Sequence, residues 1–162
     1  MSNTIDSTQL DLITLGNKNQ KNNFIVNPRT GRLSFGRIPP NNLGVAEGEI
    51  YLKLGYIGFG PQKKGAYGAR HIWEKHQIDL NLGNPQDIAV RLLDIMAVGV
   101  DILVDFSARH NPARPVILNT SVGRVALTAE SKQGVPCYSI VSAYGARNAP
   151  GTVIGTLKKP SD

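Results

Sequence analysis

The stretch KKGAYGARHIWEKHQIDL, Lys63 to Leu80, sets two histidines and a lysine in quick succession behind a glycine-rich run. The spacing predicts a helix from Ala69, with His71 in its first turn and Lys75 one turn further along the same face. A histidine that titrates near neutrality beside a lysine is what metal-independent RNA cleavage requires. It supplies a base for the 2′-hydroxyl proton and a cation for the charge developing on phosphorus. A phosphate at the helix start would also meet backbone N–H groups and the positive end of the helix dipole. The same spacing equally suits a solvent-facing histidine with no chemical task. His76 stands about 140° around the helix from His71, within the apolar stripe of Ile72 and Trp73. Periodicity makes it a core histidine bonded to a backbone carbonyl, and it joins a site only where the helix ends or kinks. Trp73 reads as a core anchor.

A second group of polar residues comes late. The run VPCYSIVSAY carries Tyr138, Ser139, Ser142 and Tyr144, and the turn GARNAPGT after it carries Arg147 and Thr152. Strand alternation puts Tyr138, Ser142 and Tyr144 on one face. If that face is open, a serine and a tyrosine stand beside the loop. The alternative has Tyr138 and Ile140 facing the helices, with the hydroxyls at a sheet edge. His110, with Arg109 and Arg114, falls between two predicted strands, as an RNA-contacting tip or a polar turn.

The signatures HExxH, GxxxxGK[ST] and GxSxG are absent, so zinc proteases, P-loop enzymes and α/β-hydrolases lack their marks. Cys137 is the only cysteine, which rules out an internal disulfide and a cysteine-based metal cluster. No metal site and no cofactor is expected. The net charge is +6, unevenly spread: residues 51–76 carry five Lys/Arg against one Glu, 77–106 one Arg against five Asp, and 107–162 seven Lys/Arg against two acids. Two basic blocks thus flank an acidic one. Brought together, they form a positive surface for a phosphate backbone, with Lys63, Lys64, Arg70, Arg114, Arg147 and Thr152 as its candidate contacts. Merely solvated surface charge is the other reading.

The elements that must position these groups follow from pattern. With 162 residues and 41% hydrophobic content the chain suits one packed core. No apolar run approaches the roughly 18 residues of a membrane span, and the start MSNTIDSTQL has no signal-peptide pattern. Residues 1–22 read as a flexible arm and 23–162 as a single domain. FIVNPRTGRLSF reads as a β-hairpin, EIYLKLGYI as a half-buried strand, and GFGPQKKGAYG as a flexible loop. A second helix covers IAVRLLDIMAV, with Asn84 as N-cap, Pro85 in its first turn and Gly99 as its stop. VDILVDF, PVILN, VGRVALTAE and VPCYSIVSAY then read as an antiparallel meander. The expected fold is α+β: two helices packed on one face of an antiparallel sheet of four or more strands, the other face open.

In GAYGARHIWEKH, followed by an acidic helix, a meander and YSIVSAY, residues 48–157 resemble the nuclease-like domains of the barnase/EndoU/colicin-D/RelE (BECR) superfamily. The likeness is greatest to versions attached to phage head proteins and polymorphic bacterial toxins. The resemblance implies a metal-independent ribonuclease acting on tRNA or rRNA, working in the cytoplasm of a cell reached by a secretion system or phage particle. A toxin of this kind would be held by an acidic immunity protein. The family's histidine falls on His71, its second basic position on His76 with Lys75 beside it, its late-strand hydroxyl on Ser142 and its closing aromatic on Tyr144. Serine stands at position 142 where threonine is more usual. The implied reaction is attack of a 2′-hydroxyl on the adjacent phosphate, with a bell-shaped rate profile around neutral pH that EDTA leaves unchanged. His71 would be base or acid, His76 or Tyr144 its counterpart, and Lys75 with Ser142 would hold the phosphate oxygens. The rival class is a non-enzymatic nucleic-acid- or protein-binding module of a phage or toxin system. An ADP-ribosyltransferase would need a late catalytic glutamate, and Glu130 followed by Ser131 and Lys132 is a poor one.

Overall fold

The computed structural model describes residues 3–107, 114–146 and 148–162. The chain runs β1 (Thr4–Ile5), a 3-10 turn (Ser7–Gln9), α1 (Leu12–Gly16), β2 (Phe24–Ile25), β3 (Ser34–Ile38), β4 (Gly48–Tyr51), α2 (Gly68–His76) and α3 (Asp87–Ile95). It continues through β5 (Asp101–Val104), β6 (Val116–Asn119), β7 (Gly123–Lys132), β8 (Val135–Gly145) and β9 (Thr152–Thr156). Among the described residues, seven strands form one sheet in the order β3-β4-β8-β7-β6-β5-β9, and β1 pairs with β2 apart from it.

The α+β class and the meander β5 to β8 match the sequence pattern, but the arrangement differs in three ways. The sheet is mixed, since β4 lies parallel to β8 through Ile50↔Tyr138 and Tyr51↔Ser139. It is also curled rather than flat with an open face. Arg37 N donates to Lys158 O at 3.0 Å and Lys158 N to Arg37 O at 3.1 Å, so edge strand β3 is bridged to the segment that follows β9 at the opposite edge. The predicted hairpin, finally, is not one: β2 pairs parallel with β1 and β3 antiparallel with β4. The Asn-Pro turn between β2 and β3 is held by the buried Asn27, whose side-chain amide donates to Ser34 O at 3.0 Å and whose carbonyl oxygen accepts from Arg29 N at 2.8 Å. That leaves the flanking backbone to other strands.

Burial explains the curl. Ile102, Ile117, Val125, Leu127, Ile140 and Ala143 from the strands share one apolar cluster with Ala69 and Ile72 of α2 and Ile88, Leu92 and Ile95 of α3. A twisted sheet that wraps its helices buries more apolar surface than a flat one. The N-terminal segment, expected as a loose arm, contributes Leu10 and Leu15 to the same cluster, with Leu10 fully buried. Helix α3 begins at Asp87 instead of being capped by Asn84. The Asp87 carboxylate turns back and accepts from Gly83 N and Asn84 N, each at 3.0 Å. No helix among the described residues is long and apolar enough to cross a membrane.

Candidate active site

Helix α2 starts where two backbones cross at van der Waals contact. Gly68 has φ +78° and Gly55 φ +87°, and a Cβ on Gly68 would stand 2.7 Å from Lys53 O and 2.9 Å from the Gly55 Cα. Only glycine tolerates both the conformation and the approach. The crossing uses the first helical N–H groups: Ala69 N donates to Lys53 O at 3.1 Å and Arg70 N to Leu54 O at 2.9 Å. The helix start is therefore not the phosphate cradle that the glycine loop suggested. The loop itself is a hydrogen-bonded hairpin, with Tyr56 bridged to Tyr67 and Phe59 to Lys64, rather than a loose segment.

The strand that meets this helix is re-aimed by a bulge. β7 and β8 are joined by Gln133 and Gly134, both at positive φ (53° and 80°), as a tight hairpin requires. From there the pairing runs regularly to Leu127↔Ile140, then slips to Ala126↔Ser142, leaving Val141 as an extra residue on β8. The slip changes the phase of the alternation. Tyr138, Ile140 and Ala143 join the core, whereas Ser142 pairs with Ala126 and Tyr144 with Arg124. Tyr138 thus does not share a face with Ser142 and Tyr144, as simple alternation predicted; its hydroxyl donates to Ala46 O at 2.5 Å. Bulges commonly redirect side chains in this way beside functional sites.

Helix and bulged strand bring four of the five proposed catalytic residues together. His71 Nε2 lies 3.0 Å from Ser142 Oγ. The His71 and His76 rings are perpendicular, with centroids 5.5 Å apart, and His76 meets Tyr144 edge to face at 4.6 Å. His76 reaches the group from the last residue of α2, its ring meeting that of His71 although the two positions stand about 140° apart on an ideal helix. It is 7% exposed, as its place in the apolar stripe required, and its Nδ1 faces Asp79 Oδ1 at 3.3 Å. Asp79 Oδ2 in turn accepts the Gly145 amide at 3.0 Å, tying the end of α2 to the end of β8. Lys75 is exposed on the same helix.

Electrostatics separates His71 from an ordinary surface histidine. Burial first, then the charges of His76 and Lys75, pull the His71 pKa from 6.5 down to about 4. At neutral pH its ring is uncharged and one nitrogen keeps a lone pair. Ser142 is 1% exposed, which makes its hydroxyl a partner for His71 rather than a contact for a bulky ligand. Arg124, which motif reasoning passed over, stacks its guanidinium 4.8 Å from the Tyr144 ring centroid and donates from Nη1 to Asn148 O at 3.3 Å. Its Nε is buried without a hydrogen-bond partner.

The predicted phosphate contacts scatter. Arg70, expected to contact phosphate, is only 2% exposed. Its guanidinium donates to Thr14 O at 2.9 and 3.2 Å and to Gly55 O at 3.1 Å, binding α1 and the glycine crossing to α2. Burial lowers its pKa. Lys63 lies 3.5 Å from Glu74 in an exposed pair, and Lys64 is exposed. Thr152 opens β9, which pairs with β5 three strands beyond β7, away from the histidines along the sheet. Arg114 lines a separate cleft with Ser139. Arg147, Arg109 and His110 lie outside the described residues. Asp79 was legible in principle as an i,i+3 partner of His76; Arg124 was not, because a register counted from the hairpin without the bulge sets it opposite Ala143. Compared with protein-family models, curated proteins and solved structures, the chain returns no match.

Proposed function

We propose that the protein is a metal-independent endoribonuclease that cleaves by attack of a ribose 2′-hydroxyl on the adjacent phosphate. The observation that carries this reading is the His71–Ser142 contact at 3.0 Å with the His76 and Tyr144 rings stacked in sequence behind it. In the tautomer that donates Nε2–H to Ser142 Oγ, His71 Nδ1 holds the lone pair and takes the 2′-hydroxyl proton. The 2′-oxygen bonds phosphorus as the bond to the 5′-oxygen breaks, and that oxygen takes a proton from His76 or Tyr144. A cyclic 2′,3′-phosphate and a 5′-hydroxyl result. Arg124 and Lys75 balance the charge on the phosphate oxygens. Ser142 holds the base in place instead of touching phosphate, a change from the role the resemblance gave it.

A base of low pKa moves the acid limb of the rate profile below the neutral range, toward pH 4 to 5. Incubation of the purified protein with total tRNA and with ribosomal RNA, with and without EDTA, tests the reading. New bands ending in cyclic phosphate are expected in both conditions, and their loss in His71→Ala. A shift in mobility without cleavage would replace the enzyme with a binding module.

A further inference from the structure

On β8, the strand that also carries Ser142, lies a cleft of about 410 Å³ that none of the proposed chemistry uses. Its floor includes Ser139 and Val141, and its walls include Lys53, Tyr67, Arg114 and Glu130. Two features distinguish it from an ordinary surface dip. Ser139 is 3% exposed and its Oγ is buried with no hydrogen-bond partner, and Arg114 Nε is likewise buried and unpartnered. Leaving such groups unsatisfied is costly, so a site that keeps them has a use for them. Between them stands the Lys53–Glu130 pair at 2.8 Å, only 16% and 33% exposed, which offers both a cation and an acceptor. Tyr67 contributes an aromatic wall.

We propose that this cleft binds a ribonucleotide unit. The Arg114 guanidinium and Lys53 take its phosphate, Ser139 and Glu130 its sugar hydroxyls, and Tyr67 packs on its base. The chemistry of the lining decides the class. Two cations against one carboxylate favour a singly or doubly charged anion, while a buried hydroxyl and a carboxylate acceptor favour a ligand that carries hydroxyl donors as well. A bare inorganic anion leaves Ser139 and Glu130 unused, and an apolar ligand would strand all four polar groups. Ser139 pairs with Thr128 and Ser142, beyond the bulge, with Ala126, two residues along β7, so the two serines stand roughly 7 Å apart along the sheet at about 3.4 Å per residue. That spacing sets the cleft where a nucleotide neighbouring the scissile one would lie, so the assignment to a polynucleotide rests on the ribonuclease reading. Nucleotide binding by itself does not.

Titration of the full-length protein with ribonucleoside 5′-monophosphates, inorganic phosphate and unphosphorylated nucleosides, followed by amide NMR, tests the proposal. The monophosphates are expected to saturate and to shift Thr128, Glu130, Ser139 and Val141, with phosphate and nucleosides at least tenfold weaker. Arg114→Gln and Ser139→Val should each weaken the monophosphate about tenfold, with circular dichroism and the unfolding midpoint showing that the fold persists. Two variants on different elements guard against one misfolding. Absence of saturable binding, shifts gathered around His71 and Ser142 instead, or unchanged affinity in both variants would overturn the site. RNA cleavage enters none of these readouts, so a failed nuclease assay and a failed cleft are told apart.

Discussion

Asp79 holds His76 from one carboxylate oxygen, Oδ1 to Nδ1 at 3.3 Å, while its other oxygen accepts the Gly145 amide at 3.0 Å. One side chain therefore registers the end of α2 against the end of β8 and faces the imidazole. An ionised carboxylate only accepts hydrogen bonds, so the Nδ1 it faces carries the proton, and that contact sets the tautomer of His76. Asp79→Asn keeps the bulk but loses this bias. Its cleavage rate should fall about 10- to 100-fold in kcat with little change in KM, and the imidazole nitrogen shifts of His76 should move toward the other tautomer. Unchanged nitrogen shifts would show that Asp79 does not orient the ring.

The His71 pKa of about 4 makes stability depend on pH in a defined direction. Between pH 4 and 6.5 the unfolded chain binds more protons than the folded one, so unfolding free energy rises with pH across that window. The contribution is fully present above about pH 6.5, is lost as pH falls toward 4, and is flat below it. With solvent screening at the partly exposed ring, the loss is roughly 1–3 kcal/mol. Urea midpoints measured from pH 4 to 7 should show this slope in the parent and a shallower one in His71→Gln. Equal slopes would mean that the ring is not held neutral by its surroundings.

Ser142 is predicted to act through His71. Because its hydroxyl is 1% exposed and 3.0 Å from Nε2, Ser142→Ala removes the ring's anchor without touching the substrate surface. kcat should drop about tenfold or more, less than in His71→Ala, while KM stays within a factor of two and the acid limb of the pH profile shifts. A rise in KM alone would place the hydroxyl on the phosphate after all.

Much of this could be read from the sequence, and the misses have physical causes. The meander of β5 to β8 was legible because short runs rich in apolar and β-branched residues stand between turn signals. His71 was marked by its place in the first turn of a helix, and Ser142 and Tyr144 by strand alternation and the family resemblance. That His76 meets the group from within the apolar stripe is not something periodicity states. Arg70 misled because a long cation on the nominally polar side of a helix was assumed to be solvated. Here it satisfies three backbone carbonyl contacts from a buried position instead. The bulge at Val141 was invisible because one extra residue leaves no compositional mark, yet it decides the face on which Ser142 and Tyr144 stand. The curl of the sheet depends on a bridge between Arg37 and Lys158, a contact between distant segments that local patterns do not encode.

The glycine crossing predicts how strictly the site depends on its entrance. A methyl group on Gly68 would meet Lys53 O at 2.7 Å and the Gly55 Cα at 2.9 Å, both backbone atoms with no flexible end to swing away, at φ +78°. Gly68→Ala should therefore destabilise the fold by more than about 1 kcal/mol, since it adds left-handed strain to the clash. The bonds from Ala69 and Arg70 to Lys53 and Leu54 must lengthen as the helix start moves, carrying His71 away from Ser142. Activity should thus fall further than the loss of folded protein explains, measured as kcat under conditions where circular dichroism shows the variant folded. Gly65→Ala is the control, for it also has positive φ but has nothing within 4 Å of its would-be Cβ. It should lose stability through strain alone and keep its rate. If the two variants behave alike, the crossing does not position the histidine.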